Sequence, residues 1–249
     1  MIAASLPAPA ATRPVEFING IKDTLPMIVG AIPFAILFGA LGTNAGLSPA
    51  AVAGMSLFVF AGSAQFIASG LVQQNISLVV IIITTLIVNL RHALYAASLA
   101  PYMKHLGQTW LLPLAFWLTD ETYAIVIRRY ARLEEAAPYK HWYHLGSAVA
   151  MYVNWQVFTW VGMFAGSQLQ GLATWGLEFA MVVTFIGIVV PIIRTRPMLV
   201  CAVVAGGVAV LLNDLPNKAG LLLAAFAGIV AGMLLEQAAP PDSSRSATL

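Results

Sequence analysis

Residues Ile76–Leu99 read ISLVVIIITTLIVNLRHALYAASL. An α-helix rises about 1.5 Å per residue, so this run crosses the roughly 30 Å of hydrocarbon in a bilayer. Its strongly polar groups are confined to Asn89, Arg91 and His92. It reads as a transmembrane helix with a functional interruption. Working outward, further apolar segments fall at 24–43, 51–71, 109–127, 146–166, 176–193, 197–212 and 219–236. The expected fold is all-α: a polytopic membrane helix bundle of about eight transmembrane segments, or seven if the second is re-entrant, with some helices broken.

Composition agrees. The chain is 60% hydrophobic and 9% charged, against about 25% charged in an average soluble domain. A soluble core of this size has nowhere to place so much apolar surface. The net charge of +2 does not indicate nucleic acid, because the Lys and Arg residues sit at the ends of apolar runs, where they act as topology signals. Cys201 is the single cysteine and lies inside an apolar run, which excludes a disulfide framework and a thiol metal site. Residues 1–22, with Pro7, Pro9 and Pro14, and residues 238–249, with Pro240 and Pro241, read as flexible cytoplasmic tails around one membrane domain at 23–237. Asp23 and Thr24 are placed to cap the first helix, with Pro26 in its first turn.

With a cytoplasmic N-terminus, the inside segments carry Arg13, Lys22, Arg128, Arg129, Arg132, Lys140, Arg194, Arg196 and Arg245, and the outside loops carry only Lys104 and Lys218. This bias places both termini in the cytoplasm. Arg91 fits neither side.

Ionisable groups inside a bilayer are costly unless paired or hydrated, and so mark function. Here they are Arg91, His92, Asp120, Glu121 and Glu178, joined by the neutral Gln65, Asn89, Asn154 and Gln156. Measured from the loop at 100–108, Arg91 and Asp120 lie about 12 and 16 Å deep on consecutive helices, so they are placed to meet. Such a pair either bridges two helices or flanks a cavity for the two charged ends of a zwitterion. The small residues of FAGSAQF at Phe60–Phe66 suit close helix packing, or alternatively a local unwinding whose free backbone groups bind substrate. Successive helical side chains diverge by about 100°, so Asp120 and Glu121 are expected to face different ways, one lining the pathway and one pairing with a neighbour. If Asp120 pairs with Arg91, Glu121 is the proton carrier, with His92 as its rival. His141 and His144 share a metal-compatible spacing, but Tyr139, Trp142 and Tyr143 around them read as an interfacial anchor.

No phosphate loop, HExxH or GxSxG motif occurs, so neither an ATPase nor a known hydrolase is indicated, and no cofactor or metal is expected. FAGSAQF at Phe60–Phe66, VNLRH at Val88–His92 with Tyr95, Ser98 and Pro101, and LTDE at Leu118–Glu121 with Tyr123 occur in that order. In these motifs the chain resembles the AzlC family over about residues 20–236. The resemblance implies the large subunit of a bacterial branched-chain amino-acid exporter in the inner membrane. It carries valine, leucine, isoleucine and in some members methionine, by proton antiport, beside a small hydrophobic AzlD-type subunit. It departs from the family's Gly-x-Asp-Phe at Gly176-Leu-Glu178-Phe179, which weakens Glu178 as a site residue. The expected substrate-binding set is Gly62, Ser63, Gln65, Asn89, Arg91 and Asp120, with Glu121 and His92 for proton coupling. The competing readings are a channel or passive facilitator for small apolar zwitterions, an intramembrane enzyme built on Ser63 or Ser98 with His92 and Asp120, and a non-transporting assembly subunit.

Overall fold

The computed structural model describes residues 12–132, 138–166, 186, 190, 193–215 and 219–238. The segment expected at 176–193, with Glu178, lies almost wholly outside them, as do Lys218 and the two chain ends. Among the described residues every regular element is helical.

Helix α1 spans Arg13–Asn44. It begins ten residues before the sequence boundary at 23, so residues 13–22 belong to it and not to a tail. Pro14 in its first turn and the acidic Glu16 are the start signals. Thr24, expected to cap the helix, lies within it. Its hydroxyl donates to the Gly20 carbonyl at 2.7 Å and lies 2.7 Å from the Ser147 hydroxyl. Helix α7 (Lys140–Gly166) lies against α1. A Cβ on Gly20 would strike the Tyr143 backbone, and one on Gly39 the Thr159 backbone; Gly146 and Gly162 face Phe17 and Ile36 in the same way. The paired numbers rise together, so the two helices run parallel, main chain against main chain.

Between α1 and α7 the chain forms α2 (Pro49–Gly54), a π-helical turn (Met55–Val59), α3 (Gly62–Gln73), α4 (Leu78–Met103), α5 (Gln108–Phe116) and α6 (Asp120–Tyr130). The segment expected as one helix at 51–71 is broken. Phe60 is left-handed (φ 39°, ψ 44°) and ends the π-turn, and α3 starts afresh at Gly62. The local unwinding of the alternative reading is therefore present. Close packing holds as well, since a Cβ on Gly62 would lie 2.9 Å from Trp155. The segment expected at 109–127 breaks likewise at Trp117–Thr119, where the Thr119 hydroxyl accepts from the Thr122 amide and caps α6.

Neither broken segment crosses the bundle. Trp110 at the start of α5 packs on His141 and Trp142 at the start of α7, with ring centroids 4.6 and 5.1 Å apart. Tyr130 at the end of α6 bonds the Lys140 carbonyl at 2.9 Å. Both ends of the α5–α6 hairpin thus lie at the Lys140 end, while Trp117 at its tip reaches Tyr152 halfway along α7 (5.7 Å). From the opposite end, the π-turn descends past Thr159, Gln156 and Tyr152. Its tip residue Phe60 meets Tyr152 at 4.9 Å. Helix α3 then climbs back to pack Ala68 and Leu71 beside Met55 and Ile81, and the Gln65 amide donates to the Met55 carbonyl at 2.9 Å, tying the two arms together. Two re-entrant hairpins enter from opposite ends and meet at the middle of α7.

This arrangement moves Lys104. Tyr102 at the end of α4 meets Tyr130 (5.7 Å) beside the Lys140 ammonium, so the loop after α4 lies at the basic end of the bundle, not opposite it. The error arose from counting the hairpin before α4 as a span; the α5–α6 hairpin after it was counted the same way. The two inversions cancel, which is why α7 keeps the direction assigned to it. Helices α8 (Arg196–Leu211) and α9 (Ala219–Ala238) pack on each other, with Gly228 and Gly232 against Ala205 and the half-buried Cys201.

Candidate functional site

The two hairpin tips, the middle of α4 and the facing sides of α1 and α7 enclose a cavity of about 240 Å³. That is slightly below the ~300–1,000 Å³ of drug-sized ligand pockets, which suits a solute of amino-acid size. One wall is apolar: Phe34 from α1, Phe60, Phe66 and Ile67 from the α2–α3 hairpin, and Met151 and Trp155 from α7. Phe66 packs edge-on against Phe34 and Phe38, and Phe38 stacks on Trp155, which fixes this wall as part of the aromatic core.

The opposite wall carries the charges. Arg91 reaches across both hairpin tips: its Nη1 lies 3.0 Å from Asp120 Oδ2 at the start of α6 and donates to Ser63 Oγ at the start of α3, 3.1 Å away. Sequence depth alone had placed Arg91 and Asp120 to meet, and they do. The second Asp120 oxygen and Arg91 Nε are buried without a protein partner, so this pair retains capacity for a polar ligand. Two half-helices also start here. Helix α6 is capped by Thr119 and carries Asp120 and Glu121 in its first turn, where the helix dipole favours them. Helix α3 starts at the cavity lining, at Gly62 and Ser63, and has no side-chain cap, so no capping side chain occupies its first amides.

Glu121 lines the same cavity and takes part in neither ion pair found among the described residues. Asp120 and Glu121 were expected to face apart, yet both line the cavity. They occupy the first turn of a half-helix whose end opens on the space, so a cavity lying beyond the helix end receives adjacent side chains that a cavity beside a continuous helix would not. His92 lines it too, with Nδ1 3.1 Å from the Asn89 carbonyl and its ring edge-on to Tyr95.

Of the expected set, the structure brings together Gly62, Ser63, Arg91, His92, Asp120 and Glu121, and leaves two aside. Gln65 is fully buried within the α2–α3 hairpin. Asn89 is half-buried one turn from His92, outside the lining. Sequence reasoning missed Thr119, Met151 and Trp155 at the cavity. It also missed the ion pair of Arg129 with the buried Glu16, 3.2 Å apart. Thr119 carried a signal: a threonine followed by two carboxylates is a helix-start signature. His141, read as an interfacial anchor, packs on Trp110 and Trp142; His144 is buried with neither ring nitrogen partnered.

Apolar helices around a small charged cavity, closed by discontinuous helices, define a polytopic membrane protein built to handle a small solute. The AzlC protein family matches residues 26–169, a stretch that contains both hairpins and their cavity. The chain is 30% identical to the inner membrane protein YgaZ of Escherichia coli K12 over 234 residues, which is 92% of this chain and 91% of that one. It is 30% identical to an uncharacterized membrane protein of Archaeoglobus fulgidus over 225 residues, 87% of this chain and 94% of the other. To the branched-chain amino acid transport protein AzlC of Bacillus subtilis it is 28% identical over 170 residues, 68% of this chain and 65% of that one. No solved structure matches it. The chain belongs to the AzlC family and is a membrane transport protein.

Proposed function

We infer that the protein is a secondary exporter of branched-chain amino acids, valine, leucine and isoleucine with methionine as a further candidate, working by proton antiport in a bacterial inner membrane. One observation carries this reading: the cavity sets an apolar aromatic wall opposite a cation, two carboxylates and an uncapped helix N-terminus. A branched-chain amino acid has the matching parts. Its carboxylate goes to Arg91, the Ser63 hydroxyl and the first amides of α3. Its ammonium goes to Asp120 and Glu121. Its side chain goes among Phe34, Phe60, Ile67, Met151 and Trp155. Discontinuous helices that turn their N-termini toward an anionic substrate group at the midplane are a recurring transporter device.

Glu121 is the proton carrier in this scheme. Asp120 is engaged by Arg91, whereas Glu121 is free to exchange a proton for the substrate's ammonium, which gives the competition that antiport requires. Movement of either hairpin tip opens the cavity to one side at a time, because each tip closes the cavity toward its own end of the bundle. Both termini are cytoplasmic in this scheme. With Tyr102 at the end of α4 near Lys140, the loop that carries Lys104 falls at the basic end, which supports the basic bias of that end. The AzlD-type subunit rests on the family resemblance, and full-rate transport by the chain alone would contradict it.

The reading is tested by binding. Leucine is compared with 4-methylpentanoate, which lacks the ammonium, and isopentylamine, which lacks the carboxylate. A hydrogen bond to a charged group contributes about 1.5–3 kcal/mol, so each analogue is expected to bind at least about tenfold more weakly. Equal affinity for all three rules out zwitterion recognition in this cavity.

A further inference from the structure

A second cavity, of about 490 Å³, lies between α1 and α6 at the basic end of the bundle. Lys22 reaches it from α1, and Arg128, Arg129 and Arg132 from the last turn of α6 and just beyond. Arg129 is engaged by Glu16 at 3.2 Å. Asp23, on the cavity wall, accepts from the Tyr143 hydroxyl at 2.7 Å. Lys22, Arg128 and Arg132 are in neither ion pair found among the described residues and are exposed. The cavity is therefore strongly cationic.

The helix dipole accounts for part of this, since basic residues are favoured at the end of α6. It does not account for Lys22, which comes from a different helix. Nor does it account for the apolar floor of Pro26, Met27 and Ile125. Lys22 lies about nine residues, or roughly 13 Å, along α1 from Arg13, at the boundary where the apolar run at 24–43 begins. Leu25 and Val29 follow three and seven residues after it on the same helical stripe, and they are 50% and 69% exposed. A cationic recess at interfacial depth thus continues into an exposed apolar track that runs toward the bilayer centre.

We propose that the cavity between α1 and α6 is a binding site for an anionic phospholipid, with the headgroup phosphate held by Lys22, Arg128 and Arg132 and an acyl chain lying along Leu25 and Val29. Basic pockets between membrane helices on the cytoplasmic side suit such headgroups. A lipid bound here bridges α1 and α6, so it links the scaffold helix to the hairpin that carries Asp120 and Glu121. A soluble phosphate offers the same headgroup chemistry but has no use for the apolar track.

The test uses the full chain purified in a neutral detergent. Thermal unfolding is followed while phosphatidylglycerol, phosphatidylcholine, glycerol 3-phosphate or leucine is added. Phosphatidylglycerol is expected to raise the midpoint saturably, while phosphatidylcholine and glycerol 3-phosphate leave it unchanged. Each charge removed by Lys22→Gln or Arg132→Gln is expected to weaken the phosphatidylglycerol effect about fivefold, and Lys22→Arg to preserve it. Both side chains are exposed and outside the ion pairs, so these variants are expected to fold. An equal response to phosphatidylcholine, or an unchanged phosphatidylglycerol response in the double glutamine variant, overturns the proposal. An equal response to glycerol 3-phosphate makes the ligand a soluble anion. Competition between leucine and phosphatidylglycerol assigns the cavity to the transport pathway. Either of these results overturns it too.

Discussion

Removing one partner of the Arg91–Asp120 pair leaves the other charge unpaired inside the membrane. At the observed 3.0 Å, two unit charges attract by about 5 kcal/mol at an effective dielectric constant of about 20. The net loss is smaller. Arg91 keeps its bond to Ser63 at 3.1 Å, and the two side chains are 23% and 13% exposed to the cavity, so water reaches both. Measured losses on breaking buried pairs are about 3–5 kcal/mol. Asp120→Asn and Arg91→Gln are therefore expected to lose about 3 kcal/mol each, at the low end of that range. The double variant removes both charges and should lose well under the summed ~6 kcal/mol, leaving a coupling of about 2–3 kcal/mol. The assay is denaturant unfolding of the four purified proteins, with efflux of labelled leucine measured in parallel. A folded but inactive double variant is the expected result, because the substrate's two charged ends have lost their partners. Restored efflux in the double variant would reduce the pair to a structural bridge and refute the assignment. Additive stability losses would show that the two residues do not interact.

Three further outcomes are expected. Glu121→Gln should abolish efflux driven by a proton gradient while leaving substrate exchange intact; proton coupling lost in His92→Gln and kept in Glu121→Gln would move that role to His92. Gly62→Ala puts a Cβ 2.9 Å from the Trp155 ring, so it should cost about 1–3 kcal/mol by overpacking and weaken binding of leucine more than of alanine; unchanged leucine affinity would mean that this wall does not hold the side chain. Single cysteines at positions 104 and 132, in a background with Cys201→Ala, should both resist an impermeant thiol reagent in intact cells and both react with it in inside-out vesicles, because both loops lie at the Lys140 end. Labelling from opposite sides would exclude the α5–α6 hairpin.

What the sequence made legible was the solvent in which the chain folds and the chemistry at its centre. The run around Arg91 marked α4, and similar depths on consecutive segments brought Arg91 to Asp120. Hydropathy has no sense of direction, however. A nine-residue helix going in and an eleven-residue helix coming back present the same length of apolar sequence as one span, so the segment at 109–127 passed for a crossing. The information was local: Thr119 before Asp120 and Glu121 starts a helix in the middle of the run. At the second segment the small residues of FAGSAQF were visible, but whether they served packing or unwinding was not, because Gly62 does both. The start of α1 was misplaced for a related reason. Its first turns mix polar and apolar residues, and the buried Glu16 among them meets Arg129, a partner more than a hundred residues away that no local pattern reveals.

Uphill movement of leucine separates an antiporter from a passive facilitator and from an assembly subunit. In proteoliposomes holding this chain and the small subunit expected beside it, labelled leucine is loaded at equal concentration on both sides, and an inward proton gradient is imposed across the face from which protons enter. Antiport predicts net leucine movement against the developing gradient, its collapse on addition of a protonophore, and its loss in Glu121→Gln. Leucine flux that never exceeds equilibration, or that is indifferent to the proton gradient, would contradict antiport.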